Sequence, residues 1–364
     1  MNGIKIIGFA VGFIFMIPMF VTAQFTESKQ IKKRFKISPE TRVEITNKYG
    51  KININTWEKD SIVFDIKIKV EDKKLSRLEK MISDIDFDFT NSQHFIIVRT
   101  KVGEKKSSIE KEILNFKETV LQSDGKMEID FTVWMPKTNQ LKVENKFGDI
   151  YIDDYLGDIE IILSNGNLKS HDFSGRTNLK LSFADATINQ LKTGRLDCNY
   201  SEIYIKKADK LQIVSKSTDF EITEINEITA DSRRDKFRIQ LIDKLAAKGS
   251  FTNYRINEIT YDLNLKTEYG DLDIEKVAPG FKSVYIESKS TDINLYFSEE
   301  SEFGFDITHT KSKTNFCRKM EIKKEEVLDE KEKKIKLSGN FGSATKPTKL
   351  FINASGGAIN IMGY

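Results

Sequence analysis

The chain has 364 residues, with 58 Lys and Arg against 55 Asp and Glu and a formal charge of +3. So many charges with so little imbalance give a mixed, well-solvated surface and argue against electrostatic nucleic-acid binding. Two cysteines and three histidines offer little material for a disulfide framework or a histidine metal centre.

Residues 1–23 carry Lys5, an apolar run from Ile6 to Val21, and the small-residue end Val21-Thr22-Ala23 before Gln24. This is the pattern of a secretory signal peptide. No cysteine follows the cleavage point, so no lipid attachment is expected there, and no later stretch is apolar enough for a transmembrane segment in the mature chain. The expected location is outside the cytoplasm, in the periplasm or at the cell surface of a bacterium.

Residues 24–140 read as an α+β cap. Val43 to Ile54 alternates around Lys48-Tyr49-Gly50-Lys51, a template that then disappears until Leu141. In the interval, Ser61–Val70 alternates as a strand. Leu75, Leu78, Met81, Ile82 and Ile85 fall at helical spacing within Asp72–Ile85, and Phe87–Val102 returns to strand character. Gly103–Asp124 is charged and weakly patterned, as a long loop or hairpin tip would be. Met127–Trp134 is a further strand, ended by Pro136.

Residues 141–297 repeat every 17 or 18 positions around Asp149, Asn167, Asp185, Glu202, Asp219, Lys236, Asn253, Asp271 and, after a longer step, Asp292. Six residues before this position stand Val143, Ile161, Leu179, Leu196, Ile213, Ala230, Ala247, Leu265 and Ile286. One and three residues after it the column is again apolar, as in Phe220 and Ile222, and only Ser170 breaks it. A period of two within each half is strand periodicity. Each copy is too small to bury its own apolar side, so neighbours must stack. The fold class expected is mainly all-β, a parallel β-solenoid or β-helix, its nine copies about 40 Å long at the usual strand spacing. Asn145, Cys198, Ser215, Ser232, Gly249, Thr267 and Ser288, four residues before the turn, suit a tight inward bend. Gly148, Gly166 and Gly270 are placed to adopt positive φ.

Residues 298–364 form irregular C-terminal coils and a cap. Lys319–Lys336 mixes Lys and Glu densely and reads as a solvated hairpin or loop. Leu350–Ile361 restores the template with Gly356-Gly357 at its turn, so the chain ends on a coil.

The carboxylates Asp153, Asp154, Glu221, Asp273 and Glu275 are scattered among Lys206, Arg238 and Arg255, without the converging pair that glycoside hydrolysis needs. His94, His171 and His309 lack ligand spacing, so no catalytic residue, cofactor or metal site is expected. Cys198 reads as core and Cys317 lies in an irregular region. The outward aromatics Tyr151, Tyr204, Tyr285 and Tyr296 are the candidate ligand-binding residues, able to stack on sugars or peptides.

Lys48-Tyr49-Gly50-Lys51-Ile52-Asn53-Ile54, Val133-Trp134-Met135-Pro136, Asn145-Lys146-Phe147-Gly148-Asp149-Ile150, Glu268-Tyr269-Gly270-Asp271-Leu272 and Ala354-Ser355-Gly356-Gly357-Ala358-Ile359-Asn360-Ile361 resemble the exported β-strand-repeat family called "putative adhesins", related to head-GIN and toast-rack domains. The resemblance spans nearly the whole mature chain. Ser232-Arg233-Arg234 and Gly249-Ser250-Phe251 depart from its glycine pattern. It implies a repeat fold and a family without an established activity. The expected function is that of a non-catalytic exported cell-envelope protein. It would bind or act as a scaffold, with an envelope polymer such as a glycan, or an envelope protein, as partner. The alternative is a carbohydrate-active β-helix enzyme, a polysaccharide lyase or hydrolase. A partner role in envelope-stress signalling is a third reading.

Overall fold

The computed structural model describes residues 24–103, 125–343 and 346–364. The expected signal peptide and nearly all of the expected Gly103–Asp124 loop lie outside them. Almost everything described is strand, joined in one long open sheet, with one short helix among the described residues. No described helix is long and apolar enough to cross a membrane.

The N-terminal region contains β1 (Phe25–Lys36), β2 (Arg42–Lys48), β3 (Ile52–Trp57), β4 (Ser61–Asp72), α1 (Leu75–Ser83), β5 (Ile85–Asn91), β6 (Phe95–Val102) and β7 (Lys126–Pro136). The run expected as strand over Phe87–Val102 falls within an antiparallel hairpin of β5 and β6. Ser92 breaks it: its hydroxyl accepts from the Phe95 amide at 3.0 Å, a local bond that competes with the ladder. The helix is shorter than its apolar spacing suggested. Buried Asp72 closes β4, accepts the Lys74 amide at 2.7 Å and faces Arg77 at 3.3 Å. Leu78 and Met81 form the buried face of α1. Strand β1, antiparallel to β4, was not foreseen. It carries Lys29, Lys32, Lys33, Arg34 and Lys36 and is exposed over most of its length, so it lacks the half-buried alternation that marks an inner strand. Charge of this kind blunts a sheet edge.

The central part comprises β8 (Leu141–Lys146), β9 (Ile150–Ile152), β10 (Ile159–Asn199), β11 (Glu202–Lys216), β12 (Asp219–Arg233), β13 (Lys236–Ser250), β14 (Asn253–Val277) and β15 (Ser283–Phe297). Alternation fixes the pairing: in-register parallel strands put like against like. Glu202 lies opposite Asp219, Asp219 opposite Lys236 and Lys236 opposite Asn253. Each neighbouring segment is therefore one repeat further along the chain, and we call each such segment a level. Ile205, Ile222 and Ile239 stack in one buried column. The next column holds Phe220, Phe237 and Tyr254, with near-parallel rings 4.8 and 5.2 Å apart. Every apolar column read from the sequence is buried, and Ser170 is buried with them, its hydroxyl without a hydrogen-bond partner among the described residues. The inward polar column bonds mostly to groups near the corner. Asn145 donates to the Gly50 carbonyl at 2.9 Å, and Ser215 to Asp235 at 2.6 Å. Ser232 meets the Tyr254 hydroxyl at 3.0 Å.

The C-terminal region contains β16 (Phe303–Thr310), β17 (Lys313–Phe316), β18 (Met320–Asp329), β19 (Lys334–Phe341), β20 (Thr348–Ser355) and β21 (Ala358–Gly363). The Lys/Glu-rich stretch is the antiparallel hairpin of β18 and β19. At both ends the order in space differs from the order in the chain. The level made by β2 and β3 lies between β8 and β9 on one side and β6 and β7 on the other. The level made by β20 and β21 lies between β15 and the pair β16 and β17. The level made by β20 and β21 is thus an inner layer.

Candidate binding surface

Each level turns a corner just before its register position, and the corner sets what the surface displays. The residue two before that position has positive φ at level after level: Tyr49, Phe147, Asn165, Phe183, Tyr200, Ser217, Arg234, Phe251, Tyr269 and Ser290, with φ from 48° to 63°. The glycines beside them do not carry the left-handed conformation, contrary to expectation. Gly148 is needed because a Cβ there would lie 1.9 Å from the Gly50 carbonyl oxygen, and Gly166 because one would lie 2.1 Å from that of Gly148. The corner residue is tied by its amide to the adjacent level, as in Phe147 to the Ser164 carbonyl at 3.0 Å and Phe251 to that of Glu268 at 2.8 Å.

Left-handed backbone costs a residue with a Cβ roughly 1–2 kcal/mol, and Asn or Gly tolerates it best. The column nevertheless places bulky rings there, pointing to solvent. Phe147 is 51% exposed, Phe183 61%, Tyr200 47% and Phe251 51%. They stack in pairs: Tyr49 with Phe147 at 5.6 Å, Phe183 with Tyr200 at 5.0 Å and Phe251 with Tyr269 at 5.0 Å, all within 15° of parallel. Lys216 and Lys289 lie over Tyr200 and Tyr269. Sequence reading missed this line because the Tyr-Gly and Phe-Gly pairs drew attention to the glycine. The signal was present: an aromatic recurs at a fixed distance before the register residue.

The four tyrosines singled out from the sequence are all at least partly exposed, but the structure does not gather them. Tyr151 and Tyr204 share one outward column, separated by Lys169 and Thr187. The Tyr151 hydroxyl donates to Asp149 at 3.2 Å, and burial, then the neighbouring Asp149 charge, raises its pKa. Burial alone would raise the Asp149 carboxyl, but hydrogen bonds from Asn167 outweigh it and hold the pKa below the ordinary range. Tyr285 stands on the other arm of its level, between Asn264 and Phe351. There it borders a shallow depression of about 490 Å³ floored by Ala230 and Ala247, with Lys248 and Val214 at its rim. Tyr296 pairs in register with Met362 near the C-terminal end.

The scattered carboxylates remain scattered. Glu221 and Asp273 occupy one outward column three levels apart, about 14 Å at the usual strand spacing, beyond the roughly 5–9.5 Å that glycosidic carboxylate pairs span. Asp153 accepts the Thr56 amide and Asp154 the Asp172 amide, both at 3.3 Å. His171 lies 3.7 Å from Asp154 on the exposed surface, while His309 is buried among the C-terminal strands. Among the described residues, no group of three or more His, Cys, Asp or Glu is arranged to hold a metal ion. Cys198 is buried and its thiol pKa is pushed up by burial.

No family model matches the chain, and no curated protein matches it. Among solved structures it is similar to a "putative cell adhesion protein" from Clostridium sporogenes, with 13% identity over 92% of this chain and 100% of that one and a TM-score of 0.17. It is also similar to a "putative adhesin" from Bacteroides fragilis, with 12% identity, 92% and 96% coverage and a TM-score of 0.28. A third is a "putative lipid binding protein" from Parabacteroides distasonis, with 10% identity, 74% and 92% coverage and a TM-score of 0.33. At these values the likeness does not extend to what any of them binds.

Proposed function

We propose that the chain is an exported, non-catalytic β-solenoid of the cell envelope that binds an extended surface polymer or serves as a scaffold along it. In this reading residues 1–23 are a signal peptide, 24–140 a cap, 141–297 the regular coils and 298–364 the irregular closing coils. The observation that carries it is the outward display: side chains recur level after level at about 4.8 Å, and exposed rings occupy many of the positions along one corner. Such a surface suits a repeating ligand held by many modest contacts. Tyr151 and Tyr204, on one column beside that corner, would add contacts, as would Tyr285 and Tyr296 elsewhere. The separation of Glu221 from Asp273 supports binding over hydrolysis.

Attachment of the purified chain to isolated envelope polysaccharide, scored by co-sedimentation, tests this. We expect weak attachment that strengthens when the chain is multimerised and changes little between about 50 and 200 mM salt, unlike a phosphate-tracking protein. Sugar release abolished by Asp273→Asn would refute the reading. Export is tested separately: the mass of the exported chain should correspond to a start at Gln24.

A further inference from the structure

The corner column leaves one bay with ring walls on both sides. Phe147 uses one face to stack on Tyr49, so its other face is turned toward the level of Asn165. Phe183 uses one face to stack on Tyr200, so its free face is turned toward the same level from the opposite side. Two levels separate the rings, about 10 Å at the usual strand spacing. A six-membered ring placed midway would sit about 5 Å from each face, the separation that the chain's own pairs adopt at 5.0 and 5.6 Å.

The floor and rim of this bay are polar. Asn165 is exposed at the floor, and Ser164 and Ser182 are half-buried beside it. Their side chains have no hydrogen-bond partner among the described residues, although Asn145 and Ser215 in the inward column do. Within two residues of Phe147, Asn165 and Phe183 the chain carries one basic residue, Lys146, and two acidic ones, Asp149 and Asp185, so the bay has no excess of positive charge to draw in an anionic polymer. It therefore presents two apolar plates about 10 Å apart, with an amide and hydroxyls between them. The matching ligand has apolar C–H faces above and below and donors and acceptors around its rim, which describes a pyranose.

We propose that Phe147, Asn165 and Phe183 form a sugar-binding bay that sandwiches one pyranose ring of a neutral glycan. This rests on the binding reading above and names its ligand class. Asn165 donates and accepts through its amide toward ring hydroxyls, and the serines add bonds at the edge. Each wall ring is backed by its own stack, and the Phe147 amide is anchored to the Ser164 carbonyl of the next level, which holds the walls in place.

The test uses Phe147→Asn, Phe183→Asn and the double variant. Asn tolerates positive φ, so the backbone is undisturbed, and thermal unfolding checks this. Neutral cello-, manno-, xylo- and β-1,3-gluco-hexasaccharides are titrated by calorimetry and by saturation-transfer NMR. We expect at least one to bind, each single variant to weaken it about fivefold, and the double variant at least twentyfold, given the usual worth of a ring stack. Ser217→Asn, at a corner position with positive φ and no ring, should leave that binding unchanged. The bay is refuted if the chain attaches to envelope polysaccharide and the double variant attaches equally well; the broader binding reading then survives. Attachment absent from the unaltered chain sinks both. Preferential binding of indole or a nucleobase at these rings would overturn the sugar assignment alone.

Discussion

Replacing Ile222 and its neighbour Thr223 in turn by Asp tests the inward and outward assignment of every level at once. Ile222 is fully buried between Ile205 and Ile239. Losing a buried aliphatic side chain costs about 2–5 kcal/mol. The incoming carboxyl must then be neutralised, and a shift of about three pKa units from its ordinary value costs about 4 kcal/mol more. The sum, about 6–9 kcal/mol, is comparable with the whole stability of an ordinary domain, so Ile222→Asp should be unfolded or melt far lower. Thr223 is exposed, and Thr223→Asp should change stability by about 0.5 kcal/mol or less. Ile222→Val, expected to cost about 0.5–1.5 kcal/mol, keeps the site measurable in a folded protein. Urea unfolding followed by circular dichroism reads all three. Similar losses for the two Asp variants would show that the alternation is misassigned.

Asp235 is almost wholly buried at a corner and accepts from Ser215 at 2.6 Å, the Thr218 amide at 2.8 Å and the Arg233 amide at 3.1 Å. Burial nevertheless raises its pKa, with those bonds opposing. An acid raised on folding binds more protons in the native state, so its contribution to stability falls as pH rises above its unfolded value of about 3.9. Measured from about pH 4 to 7, the stability of the unaltered chain minus that of Asp235→Asn should therefore decrease with pH, and an increase would contradict the assignment. Gly148→Ala places a Cβ 1.9 Å from the Gly50 carbonyl oxygen, whereas at Gly280 nothing lies within 4 Å. The first should cost more than about 3 kcal/mol and the second should be close to neutral in thermal unfolding; comparable losses would mean that the levels approach less closely at Gly148.

The inward columns were legible because period-two alternation repeated at 17 or 18 residues leaves one consistent register, and Phe220, Ile222 and their counterparts fell inside as read. The extra level made by β16 and β17 was not legible. Its register position, Lys313, follows Asp292 by the same step as Asp292 follows Asp271, with Ile307 six before it, but Thr314 breaks the apolar column one residue after it and neither glycine nor aromatic marks the corner at Lys311. Strand β1 escaped because, among the described residues, it pairs on one side only and needs no apolar face. The candidate bay was hidden by a local rule. Glycine is the usual residue at positive φ, but here the glycine answers a close backbone approach and the aromatic before it takes the left-handed angle.

The displaced last layer bears on how the molecule carries load. In a linear array the terminal unit has one neighbour and is the first to fray. Here the final residues, β20 and β21, have strands bonded on both flanks. Tension on Tyr364 directed along those strands would have to shear two ladders together, since neither can be unzipped from an open edge. Pulls along this segment load two ladders at once, where peeling a simple stack loads one.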